Sequence, residues 1–147
     1  MRNRIIIFAV LLATSLAAFA SKEETLQQLI ARAEAARMED RPPLYAEVAE
    51  RQLKSADQLY SAGKVEDATA AVNDVVTYCD KATNAATKSG KKLKNTEIAV
   101  RKMAAKLRDI RRSLAFEDQG PVKAAVDRLE SLRTELLSRM FGGKDKK

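Results

Sequence analysis

The 147-residue chain reads as an all-α protein, an antiparallel bundle of four to five helices behind an N-terminal signal peptide. Three observations predict this. After residue 20, the glycines and prolines fall only at 42–43, 63, 90, 120–121 and 142–143, which is where turns between helices would place them. The segments between them are rich in Ala, Leu, Lys, Arg, Glu and Gln, the residues that lose least on entering a helix. Their apolar residues recur at spacings of three and four, the period of a helix buried on one side. No segment alternates with the period two of a strand.

The first twenty residues read as an address. Arg2 and Arg4 precede an apolar run over 5–20 that only Thr14 and Ser15 interrupt, and Ala18-Phe19-Ala20 has the small-x-small form of a cleavage site. At about 16 residues the run falls short of the roughly 20 that span a bilayer. Cleavage after Ala20 and export, to the periplasm or beyond the cell, are expected. No Cys follows the site, so a lipid anchor is not encoded. Residues 21–141 then form one helical domain and 142–147 a charged tail. No second long apolar run occurs, so the mature chain is expected to lack a transmembrane segment.

The first helix is expected over 22–37. Leu26, Leu29, Ile30 and Ala33 give it a narrow apolar stripe, too little to bury firmly, so it is expected to be loosely attached. The second runs over 43–62, with Pro43 in a first turn that needs no N–H there. Its face is Tyr45, Val48, Gln52, Ala56, Leu59 and Gly63. The third begins near Val65, with Glu66 and Asp67 at the positive end of the helix dipole. Val65, Ala68, Val72, Val75, Cys79, Ala82 and Ala86 form its stripe. The fourth continues with Leu93, Thr96, Val100, Met103, Leu107, Ile110 and Leu114.

The third and fourth stripes share one heptad phase across Gly90. A single helix of about 50 residues, about 75 Å long, would satisfy it; so would a hairpin turning at Ser89-Gly90. The like charges of Lys88, Lys91 and Lys92 beside that glycine favour the hairpin, and 65–114 is expected to be the core of the bundle. Gly120-Pro121 opens a fifth helix, with Val122, Ala125, Val126, Leu129, Leu132, Leu136 and Met140 inward, ending at Phe141-Gly142-Gly143.

Composition removes most enzymatic chemistry. The chain has no His, hence neither the commonest general base nor the commonest transition-metal ligand. Its single Cys excludes an internal disulfide and a multi-cysteine zinc site. Cys79 lies on an apolar stripe and reads as a small core residue. The acidic pairs Glu23-Glu24, Glu66-Asp67 and Glu117-Asp118 stand where helices open and read as dipole partners. No phosphate loop, nucleophile elbow or calcium loop occurs. No catalytic residue, cofactor or metal ligand is expected, and the aromatics Tyr45, Tyr60, Tyr78, Phe116 and Phe141 are expected to plug the bundle.

The candidate site is a basic segment. Residues 88–112 hold ten Lys and Arg against Glu97 and Asp109. Lys94, Arg101 and Arg108 recur every seven residues along one helix edge, flanked by Lys102 and Arg112, while Lys91 and Lys92 stand at the start of the helix. These seven are the candidate residues for an anion or an acidic partner. Alternatively, they form a solvated face that pairs with the acidic first half. The charge supports either: the whole chain is +7, but residues 21–90 carry 9 basic and 12 acidic groups, and residues 91–147 carry 16 and 8. Export and the lack of interleaved aromatics make nucleic acid a poor partner. An acidic protein, anionic lipid or acidic polysaccharide fits better.

Ala49-Glu50-Arg51-Gln52-Leu53, Ala56, Leu59-Tyr60, Gly63, Glu66 and Ala68 together form a recognisable pattern. Residues 44–86 resemble a single tetratricopeptide-type helical hairpin, and also the uncharacterised helical-hairpin domains of bacterial extracytoplasmic proteins. No second copy follows at a 34-residue period. The resemblance implies scaffolding or protein binding. The expected function is therefore that of an exported, non-enzymatic interaction or scaffold module, working with an unknown protein or with copies of itself. The alternatives are a periplasmic holdase-type chaperone and a binder of anionic envelope lipid or polysaccharide.

Overall fold

The computed structural model describes residues 23–142. The expected signal peptide and residues 143–147 of the expected tail lie outside the described residues. Five helices follow in order: α1 (Leu26–Ala35), α2 (Arg41–Ser61), α3 (Val65–Ser89), α4 (Leu93–Ser113) and α5 (Gln119–Phe141). Short 3₁₀ turns at Met38–Asp40 and Phe116–Asp118 lead into α2 and α5. Among the described residues there is no strand, and no helix is long and apolar enough to cross a membrane.

The helix ends follow local chemistry. Thr25 caps α1: its hydroxyl accepts the Gln28 backbone N–H at 3.2 Å, and the Gln28 side-chain Oε1 accepts the Thr25 N–H at 2.9 Å. This reciprocal box sets the start later than the charge pattern implies. Pro42 and Pro43 sit in the first turn of α2, where no intrahelical N–H bond is lost. Gly63 and Gly90 end α2 and α3 in the left-handed region, at φ +74° and +68°, which costs a residue without a Cβ little.

Gly90 therefore divides the shared heptad into two antiparallel helices, as the hairpin reading requires. The packing partners differ from that reading, however. α2 lies against α3, and α4 lies against α5, while α3 and α4 touch each other only slightly. The bundle is two antiparallel hairpins laid side by side. α3 runs parallel to α5, shown by Asp80 meeting Arg128 and Thr87 meeting Arg139. α2 runs parallel to α4, from Pro42 beside Lys92 to Asp57 beside Lys106. A heptad phase records only that each helix has one apolar face. Here both faces enter a shared core.

That core joins Val72, Val75 and Cys79 of α3, Val100, Met103 and Leu107 of α4, and Leu129, Leu132 and Leu136 of α5, with Leu53 and Ala56 of α2. Each buried leucine contributes about 1.5–3 kcal/mol against leaving it in water. The buried face of α2 includes Ala46, Ala49 and Leu53. Gln52 instead turns outward and donates to Asp74 at 3.0 Å.

Two expectations fail. α1 is firmly held: Leu29 and Ala33 are fully buried, the Arg51 guanidinium donates to the Glu24 carbonyl oxygen at 2.7 Å, and Lys81 pairs with Glu34 at 2.7 Å. Lys81 also stands 5.4 and 5.3 Å from the ring centres of Tyr45 and Tyr78, where a cation is attracted to the ring faces. A narrow stripe is enough when the rim is polar and tied. Phe116 and Phe141 are not plugs. They are 89% and 60% exposed, because they fall at the outer ends of the packed length of α4 and α5.

Candidate functional site

The seven candidate basic residues do not form one surface. Arg108 pairs with Glu130 of α5. Arg101 lies 3.8 Å from Glu97, which also accepts from Arg133 of α5 at 2.6 Å. Of the heptad edge of α4, Arg108 is thus neutralised by α5, while Arg101 shares Glu97 with Arg133 and Lys94 has no ion pair among the described residues. Arg112 pairs with Asp109 at 3.0 Å, near the end of α4. Lys106, from the same segment, crosses to Asp57 of α2 at 2.8 Å. Asp80 of α3 likewise holds Arg128. Part of the charge separation along the sequence is therefore cancelled by folding.

Among the described residues six of the ten cations of 88–112 have no ion pair, Lys102 and Arg111 among them, and the other four gather at one end of the bundle. Lys91, Lys92 and Lys94 are exposed around the start of α4, with Lys88 from the end of α3 beside them. None has an ion-pair partner among the described residues. Lys92 adopts φ +60°, the only non-glycine in the left-handed region among the described residues. Arg139 donates to the Thr87 carbonyl oxygen at 3.3 Å, bringing the last turn of α5, and so Phe141, to this same end. Met38, 41% exposed, lines a hollow with Lys88. Sequence reasoning did not connect these residues, because the three chain segments meet only in the fold.

Lys102 belongs elsewhere. It borders a groove between the parallel helices α2 and α4, where two cavities of about 370 and about 320 Å³ lie in line. Pro42, Ala46, Leu53, Ala99 and Met103 supply apolar lining. Glu47, Glu50, Lys54 and Asp57 stand on the α2 side, and Lys92, Lys102 and Lys106 on the α4 side; the Asp57–Lys106 pair closes across the far end. From Pro42 to Asp57 the groove spans about four helical turns, roughly 22 Å. The signal for it lies in Ala46 and Ala99: small side chains on facing helices leave a hollow. The groove was missed because α2 and α4 are far apart in sequence.

The Cys79 thiol is buried and its pKa is pushed up to about 12, first by burial and then by the nearby charges of Asp80 and Glu50. Such a thiol is protonated and inert at neutral pH. Among the described residues, no cluster of three His, Cys, Asp or Glu is placed to hold a metal ion. No protein-family model, curated protein or solved structure matches the chain.

Proposed function

We propose that this protein is an exported, non-enzymatic interaction module that holds an amphipathic helix of a partner protein in the groove between α2 and α4. One observation carries the reading: the groove is open and mainly apolar, about four turns long, with Glu47 and Glu50 on one side and Lys92 and Lys102 on the other. An amphipathic helix lays its apolar stripe into such a groove. The charged sides ask for basic residues along one edge of that stripe and acidic residues along the other, which also fixes its direction. The likeness of residues 44–86 to a tetratricopeptide-type hairpin points to the same class. The apolar run and small-x-small site in residues 1–20 support export.

A photo-reactive side chain at Ala99, compared with one at the exposed Ser131 of α5, tests this in the expressing cell. The expected result is an adduct at 99 and not at 131, mapping to one helical segment with opposite charges on its two edges. A self-adduct would make the groove a dimer interface. Adducts spread over many unrelated unfolded chains would make the protein a holdase. Either result, or no adduct at 99, overturns the proposal.

A further inference from the structure

We infer that the Gly90 end of the bundle is a docking surface for an anionic phospholipid membrane, made by Lys88, Lys91, Lys92 and Lys94 around the exposed Phe141 and Met38. This goes beyond the groove, which runs along the side of the bundle and meets this end at Lys92.

The charge comes first. Elsewhere many of the cations of α4 and α5 find a carboxylate: Arg101 and Arg133 at Glu97, Arg108 at Glu130, Lys106 at Asp57, Arg128 at Asp80. The four lysines at this end find none among the described residues. They also sit where the fold is worse for having them. Three adjoin the start of α4, whose first turn contains no acid to offset the dipole. Lys92 occupies a left-handed position at φ +60°, which a glycine or asparagine would fill with less strain. Like charges crowd a three-residue turn. A feature that costs stability and is exposed to solvent has its return in binding.

The apolar residues then choose among anions. Phe141 is 60% exposed and Met38 41%, and both belong to this end. A polysaccharide or a free phosphate needs the cations alone. A bilayer takes both, the lysines at its phosphates and the ring at the headgroup–acyl boundary. The opposite end provides the contrast. Phe116 there is more exposed still, but it stands beside two cations and an acid, Arg111, Lys123 and Glu117, against the four lysines at the Gly90 end.

Vesicle co-flotation of residues 21–147 tests the inference, using phosphatidylcholine alone and phosphatidylcholine with about one-third phosphatidylglycerol. Each lysine near such a surface is worth roughly a fivefold change in partitioning. The chain should float with the anionic vesicles only and be released by salt. Changing all four lysines to glutamine should lower partitioning by about a hundredfold or more, with helix content unchanged. The chain has no Trp, so Phe141→Trp provides a single reporter. Its emission should shift to the blue on anionic vesicles and stay unchanged with an acidic polysaccharide. Ala99→Arg, in the groove, should leave vesicle binding intact, which separates the two proposals.

Three results would overturn the inference. The first is a quadruple variant that binds as wild type. The second is loss of binding on deletion of residues 143–147 alone. The third is polysaccharide bound as tightly as vesicles with no shift at position 141.

Discussion

The Cys79 thiol lies 3.9 Å from the Met103 sulfur, at the point where the third and fourth helices meet across the shared core. Both side chains are almost wholly buried, and the two sulfurs pack as soft, polarizable groups between the hairpins. With its pKa near 12, this thiol is about one part in ten thousand thiolate at pH 8. A thiol reagent should therefore leave the native protein untouched and titrate one thiol on unfolding. In the unfolded chain a Cys ionises near 8.5. Above that pH the unfolded state loses a proton that the folded state keeps, so this group's contribution falls as pH rises toward 12, by about 1.4 kcal/mol per pH unit. Urea unfolding across that range should show this slope in wild type relative to Cys79→Ala. Equal slopes would place the thiol in contact with water.

Thr83 is 1% exposed, and its hydroxyl has no hydrogen-bond partner. Thr83→Val keeps the shape and removes a desolvated polar atom. The variant should be as stable as wild type or about 1 kcal/mol more stable. A loss of more than that, read from the denaturation midpoint, would mean that the hydroxyl is satisfied in solution.

The first helix should be the first to leave on acidification. Lys81 holds the Glu34 carboxyl below the usual carboxylate range, and Arg32 does the same for Glu24. A depressed carboxyl stabilises the fold above its unfolded pKa, about 4.3, and that contribution is lost as pH falls through the lower folded value. Hydrogen exchange in Leu26–Ala35 should therefore accelerate below about pH 4 before that of α3 does. Glu34→Gln should show the same loosening at neutral pH.

Lys92→Gly should raise stability by about 0.5–1 kcal/mol, the relief of left-handed strain less the chain entropy of glycine. In the same variant, binding to anionic vesicles should weaken. A variant that loses stability would show that the lysine stem is packed rather than strained.

The bundle was legible in the sequence because its signals are local. Gly63 and Gly90 sit where the chain turns, and Cys79 shows itself as core by its place between Val75 and Ala82. The capping pair Thr25 and Gln28 is also a local signal, and it marks the start of α1 more closely than the charge pattern does. The partners were not legible. Arg101 and Arg108 keep a perfect seven-residue spacing whether they face water or α5. Only the fold shows that Glu130 neutralises Arg108 while Arg133 takes the Glu97 carboxylate that Arg101 approaches. The lysine cluster was half visible, as Lys88 to Lys94, and half hidden, since Phe141 and Met38 reach it from distant segments. The groove was hidden for the same reason.

The turns at 62–64 and 114–118 make most packing in this molecule a matter between neighbours in the chain. Each hairpin can close without waiting for distant residues, which favours fast folding. What remains is to dock one hairpin on the other, joined only by residues 90–92. Leu129 and Met103 take part in that docking, whereas Ala56 and Ala68 lie within the first hairpin. If docking is the late step, truncations at Leu129 should speed unfolding more than they slow folding, and changes within a hairpin should do the reverse.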